Sequence, residues 1–205
     1  MKKIIFAIAF IALSASTFSQ VKVRPGLRLG LNASTITNYY DSERVLGLNG
    51  AVFVNIHLAR FYELQPELTY SSQGFKGEQS SFGDPFDPAF YITSEDVTAH
   101  YLGLAITNKF FVVPDLGLHF IVGPSLELNI SDNSYYDLTP VDLTLFGGIG
   151  YEFPMGLGIE ARYKHGLVDI RDGYHEYSDY EDDYYNGNNM LNSVFQLSVY
   201  YKFGS

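Results

Sequence analysis

Charged side chains recur in this sequence at alternate positions among apolar residues, and that spacing governs what chemistry they can do. Arg28 lies between Leu27 and Leu29, and Glu127 between Leu126 and Leu128. Glu63 and Glu67 sit two positions either side of Gln65, and Glu160, Arg162 and Lys164 alternate with Ile159, Ala161 and Tyr163. In an extended strand such residues share one face and the apolar residues take the other. Glu160 and Arg162 can therefore join one ion-pair cluster. If that face is enclosed, the charges must pair, because an isolated buried charge is costly. Two readings follow for Arg28, Glu63, Glu67, Glu127, Glu160, Arg162 and Lys164. One is a polar plug or narrow gate for small solutes. The other, favoured here, is a structural salt-bridge network in an interior filled by its own side chains.

A second concentration of reactive groups lies at 169–185. It holds seven carboxylates with Arg171 as the only Lys or Arg, and five tyrosines. Tyr174, Tyr177, Asp179, Tyr180, Asp182 and Asp183 make it a candidate surface-contact loop, since tyrosine beside flexible polar residues suits a contact surface. Clustered carboxylates can also hold a divalent cation, but the spacing matches no calcium loop. A solvated acidic loop is the plainest reading. The five histidines (His57, His100, His119, His165, His175) fall in separate segments, with none paired at ligand spacing. Neither a Gly-x-Ser-x-Gly elbow nor a phosphate-binding Gly-rich loop occurs. The expectation is a non-catalytic chain with no cofactor and no metal.

The elements that must position these residues are strands. Period-two alternation recurs in eight runs. They are 27–33, 48–56, 63–70, 101–107, 118–129, 142–152, 157–164 and 195–203. Each is long enough to cross a bilayer at the tilt of a barrel strand. The connections alternate in length. Those near 35–46, 75–96, 130–140 and 170–190 are long and polar, and those near 58–61, 109–115 and 153–156 are short. Membrane barrels combine tight periplasmic turns with long external loops. Phe61, Tyr62, Phe110, Phe111, Tyr151, Phe153 and Phe203 fall at the short-turn ends, where an aromatic girdle is expected. Pro66 and Pro124 interrupt two runs, and each predicts a bulge or a locally lost hydrogen bond. These features predict an all-β fold: an eight-stranded antiparallel transmembrane up-and-down β-barrel with both ends on the periplasmic side. A soluble lipocalin-like ligand-binding barrel is the alternative, with the polarity of the two faces reversed.

Residues 1–19 have the layout of an export signal. Lys2 and Lys3 precede the apolar run Ile4–Leu13, and Thr17 and Ser19 are small residues ahead of Gln20. The expected single domain is then 20–205. No cysteine is present, so neither a lipobox nor a disulfide framework is available. The net charge of −10 for the whole chain becomes −12 once the two lysines leave with the signal. Such acidity argues against nucleic-acid binding, which needs a basic face.

Several of these segments resemble a known family. Leu64-Gln65-Pro66-Glu67-Leu68-Thr69-Tyr70-Ser71-Ser72-Gln73-Gly74 resembles a signature of PorT-like outer-membrane β-barrel domains of Bacteroidetes. Gly26–Ser34, Tyr101–Leu104, Gly147–Glu152 and Arg162–Ile170 are similar to other strands of that family, although Gly103 and Ala105-Ile106 depart from its pattern. The resemblance implies an eight-stranded outer-membrane barrel that tolerates proline in its strands, and it implies no activity. The expected partners are outer-membrane lipid and a protein met through the external loops. The expected role is structural or surface interaction. A narrow transport barrel for a small or apolar solute is the alternative.

Overall fold

A computed structural model describes residues 22–38, 42–80, 92–113, 116–134, 138–170 and 189–204. Eight strands form: β1 (Lys22–Ile36), β2 (Glu43–Ala59), β3 (Tyr62–Ser80), β4 (Ile92–Phe111), β5 (Leu118–Asp132), β6 (Val141–Glu152), β7 (Leu157–Gly166) and β8 (Asn192–Lys202). Each pairs antiparallel with its neighbour in the chain, and β8 returns to β1 to close the barrel. Closure pairs the edges that an open sheet would leave exposed.

The alternation sorts side chains between two environments. Leu29, Leu46 and Leu197 on the outer face are 73%, 79% and 60% exposed, whereas Arg28, Asn32 and Ser198 on the inner face are buried. An apolar wall around a polar interior is the reverse of a soluble ligand-binding barrel. That alternative is therefore corrected by the polarity of the two faces.

Strand ends differ from the sequence expectation in several places. β3 and β4 stay paired as far as Ser80 and Ile92, so the connection expected at 75–96 shrinks to 81–91. The sequence of the outer parts of β3 and β4 is largely polar, so no sustained apolar alternation marks them. The first connection is 37–42 rather than a long loop at 35–46. The turn expected at 109–115 begins later, because Lys109–Phe111 remain in β4. One consequence is that Phe111 leaves the expected girdle. Phe110 faces outward, so Phe111 turns toward the lumen and lies 4.9 Å from the His119 ring. Tyr62 with Phe110, Tyr151 with Phe153, and Tyr201 with Phe203 form ring pairs 5.0–5.2 Å apart at the short-turn end.

The two prolines act alike. In β2–β3 the pairs Phe53↔Glu67 and Ile56↔Leu64 keep one register, and the two positions between them are unpaired around Pro66. In β4–β5 the pairs Ala105↔Ser125 and Asn108↔Val122 do the same around Pro124. Each proline thus removes ladder pairing without adding a residue. Gly123 sits beside the second gap with no room for a side chain: a Cβ there would collide with the Ile106 carbonyl. The acidic Tyr174–Asp183 segment and residues 1–19 lie outside the described residues.

Candidate functional site

The inner face of the barrel gathers charges from strands far apart in the chain. At mid-height, β1 supplies Arg28, β3 supplies Glu67, β4 supplies Thr107 and Lys109, and β7 supplies Glu160 and Arg162. Arg28 Nη2 lies 2.8 Å from Glu67 Oε2, and Arg28 Nη1 lies 3.7 Å from Glu160 Oε2. Arg162 bridges the same carboxylates, with Nη2 at 3.0 Å from Glu67 Oε1 and 2.6 Å from Glu160 Oε2. Lys109 Nζ donates to Glu160 Oε1 at 2.5 Å. Gln65 Nε2 and the Thr107 hydroxyl also donate to Glu67 Oε1. Three cations thus surround two carboxylates. Aromatic faces take part of the excess positive charge: Lys109 Nζ stands 3.9 Å from the Tyr200 ring centre and the Arg162 guanidinium 5.1 Å from that of Phe146.

Two further layers flank this knot. Toward the short turns, Lys202 Nζ lies 2.6 Å from both Glu63 Oε2 and Glu152 Oε2. The Tyr200 hydroxyl donates to Glu152 at 2.8 Å, and Asn55 Nδ2 donates to Glu63 at 2.9 Å. Toward the long connections, Lys164 Nζ lies 2.6 and 2.7 Å from the two oxygens of Glu127, which also accepts from Gln73. Asn32 accepts from Asn49 and Gln196 and donates to the Ser71 hydroxyl, linking four strands. Nearer the long-connection end, Ile36, Val97, Ala99, Tyr101 and Ile170 are buried.

All seven charged residues singled out in the sequence face inward and are buried, Arg28, Glu67, Glu160 and Arg162 in one cluster, Glu127 with Lys164, and Glu63 in the layer below. Asp142 is buried on the same inner face, and so are Lys109, His119 and Lys202, none of which is among those seven. The last three are fully buried. Lys109 falls in the stretch where the sequence predicts a short connection, near 109–115. Lys202 and His119 carried the same alternation signal as their neighbours and were legible from it.

Chemically the arrangement is closed. Each carboxylate of the central knot has at least two cationic partners, so neither is free to act as a general base. No group of three or more His, Asp or Glu able to hold a metal ion occurs among the described residues.

No curated protein matches the chain. Among solved structures, the fold is similar to Neisserial surface protein A, at 12% identity, covering 87% of this chain and 97% of that one, with a TM-score of 0.53. It is also similar to Ail, the attachment invasion locus protein of Yersinia pestis, solved with the heparin analogue sucrose octasulfate. There the identity is 10%, the coverage 89% of this chain and 99% of that one, and the TM-score 0.43. The family model described as "Outer membrane protein beta-barrel domain" matches residues 18–172, three quarters of the sequence. With its closed eight-stranded barrel, apolar wall and charged interior, the chain belongs to the outer membrane protein beta-barrel domain family.

Proposed function

We propose that this protein is a sealed, non-catalytic outer-membrane barrel that gives structural support or presents its long connections to a partner outside the cell. The observation that carries the reading is the lumen itself. Arg28, Glu67, Lys109, Glu160 and Arg162 cross it from four strands, and none is more than 4% exposed. A pore would need these ion pairs to part and rehydrate, against an attraction that is strong in a poorly hydrated interior.

The orientation places both ends in the periplasm and the connections at 37–42, 81–91, 133–140 and 167–191 outside. The connections at 81–91, 133–140 and 167–191 are longer than those at 60–61, 112–117 and 153–156, which supports it, while 37–42 is no longer than 112–117. Residues 1–19 serve as the export signal in this reading, and the motifs around Leu64–Gly74 support a PorT-like assignment within the family. Tyr174, Tyr177, Asp179, Tyr180, Asp182 and Asp183 form the contact loop, supported by its composition.

Planar-bilayer recording of the purified, detergent-folded barrel tests the sealed interior. The expected record shows no stable conductance. Large, steady open channels would overturn the proposal in favour of transport.

A further inference from the structure

The outer wall carries one feature that an inert lipid contact does not need. Between the short-turn girdle and the long-connection end, the outward residues are apolar, aromatic, small or neutral polar, together with His100 and His165. Near the long-connection end the exposed charges Lys76 and Asp96 pair with each other at 3.2 Å, whereas Arg44 is, among the described residues, a cation without such a partner. It stands near the long-connection end of β2, and its guanidinium carbon lies 4.8 Å from the centre of the outward-facing Phe195 ring. To reach that ring it crosses β1, where Nη1 donates to the Ala33 carbonyl at 3.1 Å. Among the described residues no carboxylate lies within ion-pair distance of it. A guanidinium has five N–H donors in a planar fork, so most of its donating edge is unspent.

Its surroundings fit an amphiphile. The Phe195 ring packs 4.8 Å from Tyr163, whose hydroxyl lies 3.1 Å from the Ser193 hydroxyl. The same Tyr163 ring stacks on His165 at 6.2 Å. Next to this polar shelf the wall is bare leucine: Leu31, Leu46 and Leu197 are all more than half exposed. Leu31 pairs with Leu197, and Leu46 with Ala33 one pleat away. A cation held over an aromatic ring, beside an apolar strip, matches a ligand with an anionic head and hydrocarbon tails.

We propose that Arg44, braced by Phe195, binds the headgroup phosphate of a net-anionic phospholipid, a headgroup not neutralised by its own cation, whose acyl chains lie along Leu31, Leu46 and Leu197. A lone exposed cation holds free phosphate weakly, since water screens the pair. The leucine strip supplies the remaining binding and selects the lipid over the free anion. The inference rests on the membrane reading of the wall, and it assigns one lipid a fixed position on it.

Native mass spectrometry of the detergent-folded barrel, with phosphatidic acid and phosphatidylcholine of identical chains, tests it. Wild type is expected to retain phosphatidic acid about tenfold over phosphatidylcholine, the worth of one charge-assisted bidentate contact. Arg44→Gln should abolish that preference and Arg44→Lys should keep only part of it. Arg60→Gln, an exposed cation in the turn at the opposite end, should leave it unchanged. The proposal is overturned if Arg44→Gln retains phosphatidic acid as wild type does, or if Arg60→Gln weakens retention equally. It is likewise overturned if millimolar inorganic phosphate displaces the lipid, or if Arg44→Gln removes a dimer rather than a lipid. A heat-dependent gel shift of each variant reports the barrel separately. A wild-type chain that lacked the shift and stayed monomeric without detergent would refute the membrane reading itself.

Discussion

Arg162 Nη2 meets Glu67 Oε1 at 3.0 Å across the lumen, joining residues 95 positions apart in the chain. The two side chains arrive from β7 and β3, and the contact exists only once the barrel has closed. It is one edge of a cluster in which three cations share two carboxylates, so the cluster should respond unequally to loss of either sign.

Glu67→Ala should be the severe change. It leaves Arg28 and Arg162 facing each other with one carboxylate between them, and an uncompensated buried charge costs about 3–5 kcal/mol. Arg28→Met should cost less. It removes the surplus cation, and two of the Arg28 nitrogens, Nε and Nη1, have no hydrogen-bond partner in the first place. Urea unfolding of the detergent-folded barrels, followed by the heat-dependent gel shift, measures both. Equal losses would mean that charge balance does not govern the cluster.

The outer wall should reject charge according to depth. Leu197→Arg places a guanidinium in the middle of the apolar band and is expected to cost about 2–4 kcal/mol, whereas Phe61→Arg, at a short turn, should cost no more than about 1 kcal/mol. Folding yield into liposomes is the readout. If the two variants fold equally well, the lipid-facing assignment of the wall is wrong.

Two glycines on neighbouring strands should behave in opposite ways. Gly123→Ala would drive a Cβ into the Ile106 carbonyl, which is backbone and cannot swing aside, so a loss of about 1–3 kcal/mol is expected. A second change, Phe146→Leu, should not recover it. Gly147→Ala meets nothing nearer than the Ile121 carbonyl at 3.8 Å and should be neutral. Unfolding midpoints of the three variants decide the matter.

Sidedness can be checked on living cells. An epitope inserted at Asp179 should be labelled on intact cells, while one placed after Ser205 should be reached only after the outer membrane is permeabilised. The reverse pattern would invert the proposed orientation and remove the contact role from the tyrosine-rich loop.

Alternation placed the eight strands and the inward set Arg28, Glu63, Glu67, Glu127, Glu160, Arg162 and Lys164, and the missing donor of each proline marked the two interruptions. The physical reason is that a strand has a side-chain period of two, so one strand's residues already declare which face they share. Strand ends were less legible. Lys109 was hidden because β4 continues through a Lys-Phe-Phe run that resembles a turn flank, and the outer parts of β3 and β4 were hidden because their sequence is largely polar. Partnership was not legible at all. Nothing in the residues around Arg44 indicates that it reaches across β1 to Phe195, or that Lys202 sits between Glu63 and Glu152. Those relations depend on register and closure, which bring strands distant in the chain to one height in the barrel. Thus the inside and outside of this protein were local properties of its chain. Which charge neutralises which, and whether the lumen is sealed, became determined only when β8 met β1.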